Sequence, residues 1–312
     1  MAQRNDFQVE MTDDGEFGNP GRRTLDYKLA DKLCPLDISS VLGLCAANVD
    51  NSSQPREREW YLKNIINPMI KRGELGDGVK TKFDDRKLRY GGSTVLDLTS
   101  QGMGASLFVR FGITHYKAFL ADIKRSDEEN LKLQERGSEE LGDRWAFFAR
   151  APGVAVLPIT EDGSIFIGER TNSEYGGFLN AVAGHLKYRD PINRINVQKD
   201  AYRELKEEFG IDREEVERFG FNFVGLYSHP IKGDLDFTFL AKVNKPDRYF
   251  TSGEWMKKVS EREHKPLVRL ANLAEIGELL DTGKVPGSDR TLQVMYSTRG
   301  ALQSITPYHI RN

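Results

Sequence analysis

The sequence predicts an α+β protein in two regions, and three observations indicate this class. From residue 152 onward, strand and helix patterns follow in the order strand–turn–strand, loop–helix, strand–strand, helix–strand–helix. The dipeptide Pro152-Gly153 is a turn signal that separates this segment from the residues before it. Apolar residues make up 38% and charged residues 29% of the 312 positions, which is typical of a globular protein. We therefore expect an N-terminal α/β region at 27–151 and a second domain at 152–312.

Composition and charge argue against several classes of protein. A net charge of -2 gives no electrostatic reason to bind nucleic acid, and no apolar run is long enough to span a membrane. Cys34 and Cys45 form neither a disulfide framework nor a metal site. Free thiols favour a reducing compartment, so we expect a cytoplasmic protein. Residues 1–26 are polar and Gly-rich without the apolar stretch of a secretory signal, which predicts a flexible tail.

Local patterns predict the elements of the N-terminal region. Residues 75–92 are charged and Gly-rich, which predicts a loop. Alternating and β-branched residues predict strands at 94–98 and 107–112. Thr114 is a candidate N-cap for a helix at 114–120, and the charged stretch 126–143 is predicted to be helical with a break at Gly137.

The second domain begins with a predicted hairpin. Residues 153–160 are apolar enough for a buried strand, 161–163 carry a turn signal, and 164–170 return as the second arm. A helix is predicted from Val197 to Phe209, with Gly210 as its C-cap. Later patterns predict strands at 223–227, 235–243 and 266–270, and helices at 255–262, 273–280 and 291–302.

An acidic cluster on the predicted helix is the candidate site of chemistry. Glu204, Glu207 and Glu208 share one face, because positions three and four apart are neighbours on an α-helix, and Arg203 flanks them. Clustered carboxylates repel one another unless a cation lies among them, and hard oxygen donors of this kind suit Mg²⁺ or Mn²⁺. The alternative is a solvated acidic helix face with no chemical role.

The string Arg-Glu-Leu-Lys-Glu-Glu-Phe-Gly-Ile at 203–211 resembles the second half of the Nudix box, the signature of the Nudix hydrolases, at every defined position. The first half departs from the family pattern. Gly184 is the candidate for the opening glycine, but it lies nineteen positions before Arg203, which implies five inserted residues. The first glutamate of the pattern falls on Asp190 when counted from Gly184, and on Ile195 when counted back from Arg203.

This resemblance implies a fold and a set of site residues. The fold would be the Nudix fold, a mixed β-sheet between helices, over roughly the second half of the chain. Arg203 would hold Glu204 in position, and Glu207 or Glu208 would take a proton from water. Glu263 is a candidate for a base supplied by a later loop. The implied metal shell comprises the carbonyl oxygen of Gly184 and the carboxylates of Glu204, Glu207 and Glu208.

Four further residues are candidate substrate contacts. Arg170, at the end of the predicted hairpin, resembles the substrate-facing position of many Nudix enzymes, although an exposed strand-end charge is the alternative. Tyr175 could stack on a base or cover the core. Asp190 lies in the loop that departs from the family pattern. Asp236 could contact substrate, although an outward-facing strand residue is the favoured interpretation.

The resemblance implies Mg²⁺- or Mn²⁺-dependent hydrolysis of a nucleoside diphosphate linked to another moiety, giving two monophosphates. A Nudix domain with an altered box behind a separate α/β region resembles the enzymes that cleave UDP-glucose and related UDP-sugars. One alternative is an inactive descendant that binds a nucleotide and has a regulatory role. Another is a structural or interaction module that carries the string by chance. The expected partner is a small nucleotide derivative, and a homodimer is common among Nudix enzymes.

Overall fold

The structure, a computed structural model, describes residues 8–12, 68, 71, 86–96, 106–171, 176–188, 196–259 and 263–307. Two candidate site residues, Tyr175 and Asp190, lie outside these ranges, as does most of the loop with the expected insertion. Within the described ranges, no helix has the length and apolar character needed to cross a membrane.

Strands dominate the described part of the chain. They are β1 (Gln8–Thr12), β2 (Arg86–Leu96), β3 (Ser106–His115), β4 (Pro152–Ile159), β5 (Ile165–Arg170), β6 (Leu179–Asn180), β7 (Val182–His185), β8 (Val216–Ser228), β9 (Leu235–Val243) and β10 (His264–Leu270). The α-helices are α1 (Tyr116–Lys124), α2 (Asp127–Leu141), α3 (Val197–Phe209), α4 (Asp247–Thr251), α5 (Leu273–Thr282) and α6 (Tyr296–Gln303). Short 3₁₀ helices span Arg213–Glu215 and Glu254–Lys257.

The main sheet is mixed and lies between helices. Its strand order is β1-β8-β9-β4-β5-β10, with β6 paired to β5 and β7 paired to β4. Strands β4 and β9 are parallel, whereas the other strand pairs of this sheet are antiparallel. Helix α3 packs with one hydrophobic cluster of the sheet, and α5 and α6 pack with another. The expected α+β class, with a mixed sheet between helices, is confirmed.

Strand β4 shows why the sheet needs a layer on both sides. Val154 and Val156 belong to the cluster that contains α3, and the intervening Ala155 and Leu157 belong to the cluster of α5 and α6. Successive side chains of a strand point to opposite faces, so both faces of β4 are buried. This burial explains why its sequence is continuously apolar instead of alternating.

The hairpin of β2 and β3 packs into the same core as α3. The two strands form a separate two-stranded sheet. Leu88 and Tyr90 of β2, with Val109 and Phe111 of β3, join the cluster that contains the apolar face of α3. The N–H of Tyr90 also donates to the carbonyl of Arg150 at 2.9 Å, just before β4 begins. The N-terminal region is therefore continuous in packing with the second domain.

Several predicted boundaries in the N-terminal region are wrong. Strand β2 begins at Arg86 and takes in the last seven residues of the expected loop, because its backbone pairs with β3. Strand β3 extends to His115, so Thr114 is a buried strand residue and not an N-cap. Helix α2 runs through Gly137, where an added Cβ would lie 2.6 Å from the carbonyl oxygen of Asp143. That glycine allows a close backbone approach and does not break the helix.

Other differences concern the ends of the chain. Residues 8–12, expected in a flexible tail, form β1 and pair with β8 at the sheet edge. Their sequence, Gln-Val-Glu-Met-Thr, alternates polar and apolar residues as an edge strand does. In the expected helix 255–262, the described residues form only the short 3₁₀ helix ending at Lys257. The last helix begins at Tyr296 and not at residue 291.

Candidate active site

Helix α3 is fixed at both ends and along one face. The side chain of Asn196 accepts a hydrogen bond from the N–H of Lys199 at 2.7 Å, which caps the N-terminus. Gly210 takes a left-handed conformation, with φ 65°, and ends the helix where the sequence predicts. Leu205 and Phe209 are fully buried against the sheet. The predicted bounds of this helix are confirmed, and its acidic face is held in one orientation.

A cavity of about 510 Å³ lies beside the acidic face of α3. Side chains from β2, α1, β5, β7, β9, the start of α6 and the residue before β10 surround it. The structure brings together at this cavity all the predicted site residues that it describes: Arg170, Gly184, Arg203, Glu204, Glu207, Glu208 and Glu263. The sequence string and the residues far from it thus share one site.

The acidic face of α3 is not a solvated surface. Glu204 and Glu208 are only 4% and 2% exposed. The side chain of Glu207 is 27% exposed and is the most accessible of the three. The alternative of a solvated acidic face is therefore wrong, because two of its three carboxylates are removed from bulk water.

Arg203 connects these carboxylates to the sheet. Its Nη1 donates to Glu207 at 2.6 Å, and its Nη2 donates both to Glu204 and to the carbonyl oxygen of His185 at 3.3 Å. Charge-assisted bonds of this kind are stronger than neutral ones. Arg203 thus contacts Glu204, as the resemblance implies, and also ties α3 to β7.

Glu204 carries the clearest sign of charge crowding. Burial, together with the neighbouring charge of Glu208 and a smaller contribution from Glu207, raises the pKa of Glu204 to about 8, although Arg203 opposes the shift. Gly184 faces this carboxyl group at close range. An added Cβ at Gly184 would lie 2.1 Å from Oε1 of Glu204, so only glycine allows β7 to approach it.

The donor set fits a divalent cation in type and in charge. Carboxylate and carbonyl oxygens suit Mg²⁺ or Mn²⁺. The charges of Glu208 and Glu207 add to the effect of burial in raising the pKa of Glu204, and a cation would offset those charges. As the side chains stand, no three His, Cys, Asp or Glu residues in the described part of the chain are placed to hold a metal ion. Glu207 is paired with Arg203 and is partly exposed, so it is the carboxylate that would turn to complete such a set.

Glu208 is held by a residue that the sequence analysis did not select. Nε2 of His264 lies 2.7 Å from Oε2 of Glu208, and the N–H of Ala183 donates to the same oxygen at 3.2 Å. His264 is the first residue of β10 and is almost fully buried. No local pattern in the sequence marks His264 as a partner of Glu208, because their contact depends on the pairing of β10 with β5.

Arg170 and Glu263 form an ion pair at the cavity. Their side chains are 12% and 30% exposed, so Arg170 is not an exposed strand-end charge and that alternative is wrong. The guanidinium of Arg170 is paired with Glu263. To contact a phosphate, it would have to break that ion pair. Their predicted roles, as a phosphate ligand and as a base, stay predictions.

The N-terminal region supplies one wall of the cavity. Lys87 of β2 lines it with Tyr116 and Phe119 of α1, and the ammonium of Lys87 lies 5.1 Å from the centre of the Tyr116 ring. The ring of His185 packs edge-on against the ring of Phe119, with the ring centres 4.4 Å apart. Removal from water, with the charges of Lys87, Arg170 and Arg203, lowers the pKa of His185 to about 3, so this imidazole is neutral. No motif marks these residues in the sequence.

Asp236 forms part of another wall. The hydroxyl of Tyr296 donates to its Oδ2 at 3.2 Å, and both residues line the cavity. Burial, with a smaller contribution from the charge of Asp234, raises the pKa of Asp236 to about 6. An added Cβ at Gly153 would lie 2.1 Å from Oδ1 of Asp236, so the neighbouring strand makes room for this carboxyl group. The favoured interpretation of an outward-facing strand residue is therefore wrong.

Comparisons with known proteins give matches among solved structures. No family model matches the chain, and no curated protein matches its sequence. A MutT Nudix hydrolase from Burkholderia pseudomallei is 20% identical, with 50% of this chain and 98% of that chain covered and a TM-score of 0.33. The Nudix domain of Shewanella oneidensis NrtR, complexed with ADP ribose, is 12% identical, with coverage of 55% and 95% and a TM-score of 0.32. A C. elegans Ap4A hydrolase is 17% identical, with coverage of 40% and 80% and a TM-score of 0.28. At these identities and TM-scores the likeness carries no conclusion about what this chain binds or cleaves.

Proposed function

We propose that this protein hydrolyses the pyrophosphate bond of a nucleoside diphosphate linked to another moiety, with Mg²⁺ or Mn²⁺ as cofactor. One observation carries the proposal: Gly184, Arg203 and the three glutamates of α3 border a single cavity large enough for a small ligand. A nucleotide-sugar such as UDP-glucose is the proposed substrate class. This finer assignment is supported by the altered box and by the N-terminal region that precedes it in the chain.

The carboxylates of Glu204, Glu207 and Glu208, with the carbonyl oxygen of Gly184, would hold the metal. When bound, the ion screens the charge of the phosphates and lowers the pKa of the attacking water. The protein's own contribution is a fixed frame for these ligands. Arg203 provides it on one side of the cluster, through its contacts to Glu204, Glu207 and the carbonyl of His185.

Glu207 is the proposed general base. The two candidates are Glu207 and Glu208. Oε2 of Glu208 accepts from the N–H of Ala183 and lies against His264 in a buried site. The side chain of Glu207 is 27% exposed, so a water molecule reaches it more readily. An accessible carboxylate suits proton transfer better than one that is buried between two donors.

Cationic groups on other walls would bind the substrate. Arg170 and Lys187 line the cavity from the sheet side, and Lys87 lines it from the N-terminal hairpin. Phosphate oxygens carry concentrated negative charge that guanidinium and ammonium groups bind well. Tyr116 adds an aromatic surface beside Lys87, suited to the nucleoside part of the ligand.

A substrate screen tests the proposal. The wild-type protein is incubated with Mg²⁺ or Mn²⁺ and with UDP-glucose, ADP-ribose, dinucleoside polyphosphates or capped RNA, and the released monophosphates are measured. Glu207→Gln is expected to lower kcat by at least about 100-fold. Glu214→Gln, at an exposed glutamate outside the cavity, is the matched control and should leave kcat unchanged.

Three outcomes separate the hypotheses. Turnover that needs the metal and is lost in Glu207→Gln supports the proposal. Undiminished turnover in Glu207→Gln places the chemistry elsewhere. Tight nucleotide binding without turnover in the wild-type protein supports the inactive, regulatory alternative.

A further inference from the structure

We infer that His264 is a positioning residue for Glu208, and that its Nε2–H donates to one oxygen of the buried carboxylate. The inference rests on the proposed function, because Glu208 is a proposed metal ligand. It adds to the site a residue that lies outside the acidic string and 56 positions after Glu208 in the sequence.

The geometry of the pair is that of a strong, dry hydrogen bond. Nε2 of His264 and Oε2 of Glu208 are 2.7 Å apart, and the two side chains are 0% and 1% exposed. The N–H of Ala183 donates to the same oxygen at 3.2 Å. Because Oε2 is occupied by two donors, Oε1 is the oxygen that Glu208 offers to a ligand in the cavity.

The other ring nitrogen of His264 defines its tautomer. Nδ1 is buried and has no hydrogen-bond partner among the described residues. A proton on Nδ1 would leave a buried N–H without an acceptor, which costs about 1–3 kcal/mol. The contact to Glu208 is satisfied when Nε2 carries a proton and donates it to the carboxylate.

The fold makes room for the ring and fixes its plane. An added Cβ at Gly168 of β5 would lie 2.3 Å from Cβ of His264, so only glycine fits at that position of the neighbouring strand. On another side the ring of Phe209 packs edge-to-face, with the ring centres 5.6 Å apart and an interplanar angle of 87°. Strand β5 and helix α3 therefore both constrain the imidazole that holds Glu208.

Such a partner orients a metal ligand without touching the metal. Hydrogen bonds to ligand side chains typically change metal affinity or activity by about 10- to 100-fold when they are lost. Glu207 is instead bonded to Arg203 of its own helix and is partly exposed. The two adjacent glutamates of the string would thus differ in role: Glu208 is fixed by β10, and Glu207 is the more accessible.

Two variants of the full chain test the inference, with Mn²⁺ alone as the probe. His264→Leu removes the donor and keeps an apolar side chain. His264→Gln keeps an N–H near the position of Nε2. Mn²⁺ affinity is measured by electron paramagnetic resonance of the free ion, and the folded state is verified by thermal unfolding. His264→Leu is expected to weaken Mn²⁺ binding by about 10- to 100-fold, and His264→Gln to restore most of it.

A spectroscopic readout is independent of the metal. Long-range ¹H–¹⁵N spectra of the ¹⁵N-histidine-labelled protein should show a proton on Nε2 of His264, and the signal is assigned by its loss in His264→Gln. A ring whose Nε2 carries no proton overturns the inference. This measurement also decides the matter if His264→Leu does not fold.

The remaining outcomes are equally decisive. Equal Mn²⁺ affinity in wild type and folded His264→Leu overturns the positioning role alone. Equal loss in His264→Gln and His264→Leu also overturns it, because ring packing and not the donor would then be what matters. Failure of the wild-type protein itself to bind Mn²⁺ overturns the proposed function, and the positioning role falls with it.

Discussion

Arg203 and Glu207 lie one helical turn apart and are joined by a hydrogen bond of 2.6 Å at the edge of a cavity. The same guanidinium reaches Glu204 and the carbonyl of His185. A surface pair of the same spacing, Arg136 and Glu140 on α2, has no such surroundings, since its side chains are 30% and 44% exposed. The two pairs therefore offer a comparison of one helical spacing in two environments.

Arg203→Met is expected to destabilise the protein by about 1–3 kcal/mol at pH 7, because the buried Glu204 loses a hydrogen-bond partner. Arg136→Met should cost less than about 0.5 kcal/mol, since exposed pairs contribute little. Urea denaturation of both variants measures the difference. Mg²⁺ should restore part of the stability of Arg203→Met if it binds among the glutamates. Equal losses of stability in the two variants would show that the buried surroundings of Arg203 do not increase its contribution.

Gly184→Ala is expected to lower turnover by at least about 10-fold while the protein stays folded. The added methyl group would meet the Glu204 carboxyl group at 2.1 Å and push it from its position. The matched control is Gly277→Ala on α5, where an added Cβ has no atom within 4 Å. That change should stabilise the protein by about 0.5–1 kcal/mol, because alanine is the better helix former. Steady-state kinetics and urea denaturation give both readouts, and full turnover in Gly184→Ala would contradict the close approach.

Asp247→Asn is expected to lose stability at neutral pH and to lose little in acid. Burial raises the pKa of Asp247, but hydrogen bonds from Thr160, Ser164 and Arg269 together outweigh it and hold the pKa below its ordinary value. An acid whose folded pKa is depressed stabilises the protein above its unfolded pKa of about 3.9, and this contribution disappears as pH falls through the folded value. The free energy of unfolding of wild type and variant should differ by about 1–2 kcal/mol at pH 7 and converge below about pH 3.

The control for that experiment is Asp281→Asn, at an exposed position of α5. It should change the free energy of unfolding by less than about 0.5 kcal/mol at either pH. A difference between wild type and Asp247→Asn that stays constant from pH 7 to pH 3 would contradict the electrostatic account.

Lys87→Ala is expected to raise KM for a cleaved nucleotide by about 10-fold and to change kcat little. Lys87 lines the cavity from the N-terminal hairpin and is proposed to bind the substrate without joining the chemistry. Lys132→Ala, at an exposed lysine of α2, provides the comparison. Steady-state kinetics on the substrate found in the screen measures the effect. A loss of kcat with unchanged KM would assign Lys87 a different role.

The parts of the fold that were predicted depend on local pattern. The bounds of α3 follow from its apolar positions and from Gly210, and the hairpin of β4 and β5 follows from a turn signal between two apolar runs. The shared face of Glu204 and Glu208 was also predictable, because helical spacing brings positions four apart together.

The parts that were missed depend on contacts between distant residues. Lys87 reaches the site because β2 packs into the core of the second domain, and His264 reaches it because β10 pairs with β5. Strand β2 itself was hidden by its charged, glycine-rich sequence, whose backbone is ordered by pairing with β3. A local pattern cannot display such pairings, since they are specified by packing across the fold.

The hairpin of β2 and β3 shares one hydrophobic cluster with helix α3, so the cavity wall that it forms is anchored in the protein interior. A chain cut at residue 151 would lose that wall and would also expose apolar surface beneath the helix that carries the glutamates. Shortening this protein to residues 152–312 would therefore remove both a wall of the cavity and part of the packing that supports helix α3.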